Sequence, residues 1–110
     1  MKKNTAGLSR LFKALSDENR LRILLAIQEN DYRCASAQRQ CRNGTCIKEL
    51  AGSLRITVPT VSHHVKQLIN AGLVSVRKEG RWVYCRIDQK AFNAARKFLG
   101  DFPPDKRRRR

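Results

Sequence analysis

Residues 57–72 read TVPTVSHHVKQLINAG, a stretch with the signals of a short helix that has two unlike faces. Thr57 supplies an N-cap oxygen. Pro59 sits in the first turn, where a missing N–H costs no hydrogen bond, and Gly72 suits a left-handed C-terminal stop. At about 100° per residue, Val61, Val65 and Leu68 fall on one side, while Thr60, His63, Lys66, Gln67 and Asn70 fall on the other. The first side is suited to packing and the second to solvent or a partner.

Upstream, beyond Arg55 and Ile56, the residues Ile47, Leu50, Ala51 and Leu54 repeat with helical spacing, and Thr45 is placed to cap that helix. Downstream, 73–78 and 81–87 are β-rich runs joined at Glu79-Gly80, where glycine permits the positive φ of a tight hairpin. Two short helices about a tight turn, followed by a hairpin carrying Arg77, Lys78 and Arg81, make a winged helix-turn-helix. Leu8, Leu11, Phe12 and Leu15 stripe a first helix. Ser16 and Asp17 offer caps for a second, with Leu21, Ile23, Leu24 and Ile27 as its buried face and an end near Gln28. Asp88 caps a last helix, whose face is Ala91, Phe92, Ala95, Phe98 and Leu99 and whose stop is Gly100 with Pro103-Pro104. The expected fold is mainly α, about five helices plus a two-stranded wing. Residues 1–102 form a DNA-binding and dimerisation domain, and 103–110 a basic tail.

At 110 residues the chain has room for one core. It carries 24 Lys and Arg against 9 Asp and Glu, a net charge of +15. Setting aside the five cations at 106–110 leaves +10, so the domain itself is basic and calls for an anionic partner. No apolar run approaches the ~18 residues of a spanning helix, and MKKNTAGLSR lacks the apolar stretch of a signal peptide. A cytoplasmic protein with no membrane partner is expected, bound to double-stranded DNA.

Thr60, Ser62, His63 and His64 form the expected reading set, with Thr57, Pro59, Lys66 and Gln67 beside them. Hydroxyl, imidazole and amide groups of this kind hydrogen-bond base edges in the major groove. Arg77, Lys78 and Arg81 are long enough for phosphates, giving salt-dependent affinity with little sequence preference. Adjacent His63 and His64 point in different directions along a helix, which argues against a metal pair. A metal-stapled RNA-binding module is the rival from another class, but paired C-x2-C knuckles and an aromatic-rich sheet are missing. Enzyme chemistry is not expected, because both histidines belong to the reading helix and leave no base for a cysteine nucleophile.

LFKALSDENRLRILLAI (11–27), CIKELAGSLRITVPTVSHHVKQLINAGLV (46–74) and VRKEGRWVYCRID (76–88) resemble successive blocks of the ArsR/SmtB metal- and metalloid-responsive repressors, over roughly residues 8 to 88. The resemblance implies a homodimeric winged-helix repressor that releases operator DNA when an inducer binds. It implies DNA contacts from Thr60, Ser62 and His63, and dimerisation through the first and last helices. Leu8, Leu11, Phe12, Leu15, Phe92, Ala95, Phe98 and Leu99 are the candidate interface residues.

Cys34, Cys41 and Cys46 are spaced C-x6-C-x4-C, which is not a zinc-ribbon spacing, within the polar segment 29–45 and its border. That segment, ENDYRCASAQRQCRNGT, has no sustained period and reads as an exposed connection. Compared with the family it is longer by about a dozen residues. At the start of the third helix, C-I-K-E-L keeps Cys46 as the first thiol of the metalloid sensors' pair but has Lys48 for the second, and no histidine follows Asp88 as in zinc sensors. Three thiolates on a flexible segment suit As(III), Cd(II), Pb(II) or Zn(II). Arg33, Arg39 and Arg42 would lower the pKa of neighbouring thiols, so oxidation to a reversible disulfide uses the same atoms. Cys85, beside Val83 and Tyr84, is expected as a buried apolar residue without a sensing role.

Overall fold

Four of the described helices begin where a side chain satisfies free backbone N–H groups. Asn4 accepts from the Gly7 N–H at 2.9 Å, Asp17 from Asn19 at 2.8 Å and Arg20 at 3.1 Å, Thr57 from Thr60 at 3.4 Å, and Asp88 from Lys90 at 3.0 Å. The computed structural model describes residues 4–37 and 44–105, with the backbone alone over 32–37. The elements run α1 (Thr5–Leu15), α2 (Glu18–Ala37), β1 (Thr45–Cys46), α3 (Ile47–Leu54), α4 (Val58–Asn70), β2 (Val74–Glu79), β3 (Trp82–Ile87) and α5 (Gln89–Gly100). This is the five-helix winged helix-turn-helix expected, with a short third strand added.

Apolar faces from every layer meet in one core. Ile23 and Ile27 of α2, Leu50 of α3, Val61 and Leu68 of α4, Leu73 and Cys85 are its fully buried members. The α3–α4 turn is closed by Arg55, in the left-handed region at φ 58°, and by the Ile56 N–H donating to the Ala51 carbonyl at 3.1 Å. Gly72, at φ 77°, ends α4 and turns Leu73 back so that its N–H donates to the Leu68 carbonyl at 3.0 Å.

Four features differ from the expectation. α2 continues to Ala37 through most of what reads as a connection. Between Glu29 and Ala37 there is neither glycine nor proline, and Glu, Arg and Ala favour the helix even where no apolar face repeats. Thr45 does not cap α3. It lies in β1, buried, its hydroxyl accepting from the Asn30 amide at 2.9 Å, while Cys46 takes the N-cap position and donates its N–H to Glu49 at 3.2 Å. β1 adds to the hairpin on the β3 side, in antiparallel register Thr45↔Cys85 and Cys46↔Tyr84, so the sheet order is β1-β3-β2. Finally, Leu21 is exposed and does not join the core face of α2.

Candidate nucleic-acid interface

α4 is fixed from below by Val61, Val65 and Leu68, all buried, which leaves Ser62, His63 and Lys66 exposed, Thr60 and Gln67 half-buried, and Thr57 and Pro59 exposed at its start. His64 departs from the expected reading set. It is 9% exposed and faces the protein, with Nδ1 3.5 Å from the Arg20 guanidinium. Arginine only donates, so Nδ1 is the acceptor in this contact. Arg20 also donates from Nε to the Ala14 carbonyl at 2.7 Å and lies 4.0 Å from Asp17. It thereby ties the end of α1, the start of α2 and the middle of α4 together. The physical reason for His64's placement is spacing: Val61, His64, Val65 and Leu68 form one helical stripe, with His64 the polar member.

The wing carries the expected cations on exposed strands. Arg77, Lys78 and Arg81 are all exposed, and Gly80 at φ 60° turns the hairpin between them. Arg77 is paired with Glu79 at 2.9 Å, an exposed ion pair of modest worth that any phosphate would have to displace. Trp82 opens β3 with two cations over its ring: Lys48 Nζ at 5.2 Å and the Arg81 guanidinium carbon at 5.4 Å from the centroid. Lys48 was not a candidate from sequence. Its signal was available only as a cation near the start of α3 and a tryptophan at the wing, far apart in the chain.

The thiols divide. Cys41 lies outside the described residues, as do Arg39 and Arg42, and of Cys34 only its place in the α2 backbone is described. Cys46 and Cys85 are buried free thiols. Burial, with Cys46 nearby, pushes the Cys85 thiol up to about 12, so it stays protonated and unreactive at neutral pH. Among the described residues, no group of three or more His, Cys, Asp or Glu side chains gathers to hold a metal ion.

The candidate dimer residues also divide. Leu11 and Ala95, both expected at the interface, are buried in the core of the single chain. Leu8, Phe12, Leu15 and Phe92 pack part-buried against that core. The Phe98 ring lies 5.7 Å from that of Phe12, and Leu99 is exposed. No helix among the described residues is long and apolar enough to cross a membrane.

Comparison with known proteins places this geometry. The family described as bacterial regulatory protein, arsR family, matches residues 41–76. The uncharacterized HTH-type transcriptional regulator YbzH of Bacillus subtilis (strain 168) is 33% identical over 91 residues, 81% of this chain and 91% of that protein. The chain belongs to the ArsR family. As an ArsR-family member it is a DNA-binding transcriptional regulator. A homolog of the cadmium resistance transcriptional regulatory protein CadC from Staphylococcus aureus is 30% identical over 87 residues, 79% of this chain, which spans only 62% of that relative. The crystal structure of the ArsR family transcriptional regulator RHA00566 has the same fold, at TM-score 0.72 and 24% identity, covering 92% of this chain and 91% of that one.

Proposed function

We propose that this ArsR-family protein is a repressor that binds operator DNA as a homodimer, with α4 in the major groove and the wing along the backbone. The division of α4 supports this reading best: an apolar side locked in the core, and Ser62, His63 and Lys66 left exposed beside Thr57 and Pro59. Thr60 and Gln67 complete the helix contacts, and Arg77, Lys78 and Arg81 take phosphates. His64 holds the helix from inside. Leu21, Leu25, Leu99 and Phe102 are exposed. The first two wall an open cavity of about 600 Å³ between α2 and α5. A second copy covering this surface supplies the dimer, whose two α4 helices must stand about 34 Å apart, one turn of duplex, to read two half-sites.

The proposed inducer is a thiophilic metal or metalloid species of the As(III), Cd(II), Pb(II) or Zn(II) class. The cadmium resistance relative and three cysteines within thirteen residues of sequence support it. The described residues alone do not form such a site, and Cys46 is the one candidate thiol whose side chain is described.

Selection from a random-sequence duplex pool, followed by anisotropy against the recovered duplex, mixed-sequence DNA and a structured RNA, tests the DNA reading. The expected result is an inverted-repeat duplex bound at least about 1,000-fold more tightly than mixed-sequence DNA. Preference for RNA refutes it. Cd(II) or arsenite should release the duplex from native protein and not from Cys46→Ser. Binding untouched by every ion removes the inducer reading, and release by oxidant alone replaces it with thiol oxidation.

A further inference from the structure

The wing has no core of its own. Every residue from Ser75 to Arg81 is exposed, and β2 and β3 hold each other through a ladder that ends at Glu79↔Trp82. β1 braces β3 at Cys85 and Tyr84, two positions short of the wing's tip. Beyond that brace, a side chain from the helical body lies against the hairpin. Lys48, in the first turn of α3, sets its ammonium 5.2 Å from the centre of the Trp82 ring. Arg81, from the wing turn, sets its guanidinium carbon 5.4 Å from the same centre. Both separations fall within the reach of a cation–π attraction, and the ring, 37% exposed, is only partly screened by water. One ring therefore links α3, which leads into α4, with the cation nearest the hairpin turn.

We propose that Lys48 is a positioning residue for DNA binding: by holding Trp82 it sets the pitch of the wing against the helix-turn-helix, and so the point at which Arg81 meets the phosphate backbone. The proposal rests on the reading of α4 and the wing as the DNA interface. It separates Lys48 from the wing cations proper. Arg77, Lys78 and Arg81 act on phosphate, whereas Lys48 acts through the ring. Without its ammonium the outer hairpin samples more orientations, and binding must select the productive one.

The chain holds one tryptophan, so its emission reports on this ring alone. The test compares Lys48→Met, Lys48→Arg, Trp82→Leu and the Lys48→Met/Trp82→Leu double variant, using the selected duplex and mixed-sequence DNA over a range of salt. Lys48→Met should change Trp82 emission in the free protein and weaken duplex binding about 2- to 5-fold, the worth of one exposed cation–π contact. Lys48→Arg should retain both properties. In the Trp82→Leu background, Lys48→Met should cost nothing further. The proposal is overturned if emission and affinity ignore Lys48→Met. It is equally overturned if the loss persists without the ring and lowers the salt slope by about one, which makes Lys48 an ordinary phosphate contact. Failure of the native protein to bind any duplex is read from the wild-type titration, and overturns the DNA reading and this proposal together.

Discussion

Adjacent histidines with opposite exposure make a sharp test of how α4 is seated. His64 is 9% exposed, within the stripe that packs α4 against the core, and its ring meets Arg20. Replacing it with alanine removes a buried ring and leaves a void. Large-to-small core changes cost about 2–5 kcal/mol, and the edge position of His64 with its long 3.5 Å contact argues for the lower half, about 2–3 kcal/mol. For a domain of this size that lowers Tm by roughly 10–20 °C. His63, one residue earlier, is exposed, so His63→Ala should leave stability within about 0.5 kcal/mol. Its cost should fall on recognition, at about 1–3 kcal/mol for the selected duplex, with mixed-sequence DNA bound as before. Urea unfolding and anisotropy, run on both variants, measure the two quantities. If His63→Ala unfolds the protein as readily as His64→Ala, or if His64→Ala abolishes sequence preference at unchanged stability, the rotation of α4 described above is wrong.

Asp17 is held below the usual carboxylate range, first by the Arg20 N–H it accepts. A depressed carboxyl stabilises above its unfolded pKa and loses that effect as pH falls, so Asp17→Ala should cost about 1 kcal/mol at neutral pH, with the gap closing in acid unfolding curves. Arg55→Gly relieves a left-handed residue at φ 58° and should raise stability by about 1 kcal/mol in urea unfolding. A loss there would mean the Arg55 side chain holds the turn. Cys85 has its pKa raised from 9.0 to about 12, so the stability it contributes is complete below about 9 and is lost as pH climbs toward 12. Native protein should resist iodoacetamide at Cys85 at neutral pH, and alkaline unfolding of Cys85→Ala should be flatter across that window. Rapid native-state labelling would show that the thiol is not buried as described.

What could be read from sequence was local chemistry. Thr57, Pro59 and Gly72 mark the ends of α4 through interactions within a few residues, so those boundaries need no tertiary information. His64 was also legible, had spacing been weighed above residue type: it sits three residues after Val61 and four before Leu68, in the packing stripe. The extension of α2 to Ala37 was not legible by period, because a helix with polar residues on most sides shows none. Its absence of glycine and proline was the weaker signal that counted. β1 is two residues long, and no propensity predicts a strand that exists only because β3 offers it an edge. The ring shared by Lys48, Arg81 and Trp82 depends on a sheet bringing distant positions together, which spacing along the chain cannot express.

Thr45 and Cys46 stand where these parts join. Thr45 receives the Asn30 hydrogen bond from α2 and pairs with Cys85 in β3, while Cys46 donates to Glu49 and begins α3, two residues before Lys48. A displacement at Cys46 therefore reaches the helix that leads into α4 and the contact that steadies the wing by one short route. A regulator needs only about 1–3 kcal/mol of coupling between inducer and DNA, comparable to one hydrogen-bonded cap and one cation–π contact. If ligation or oxidation of Cys46 regulates binding, it should therefore change Trp82 emission in protein free of DNA. A switch that leaves that ring undisturbed must run by another path.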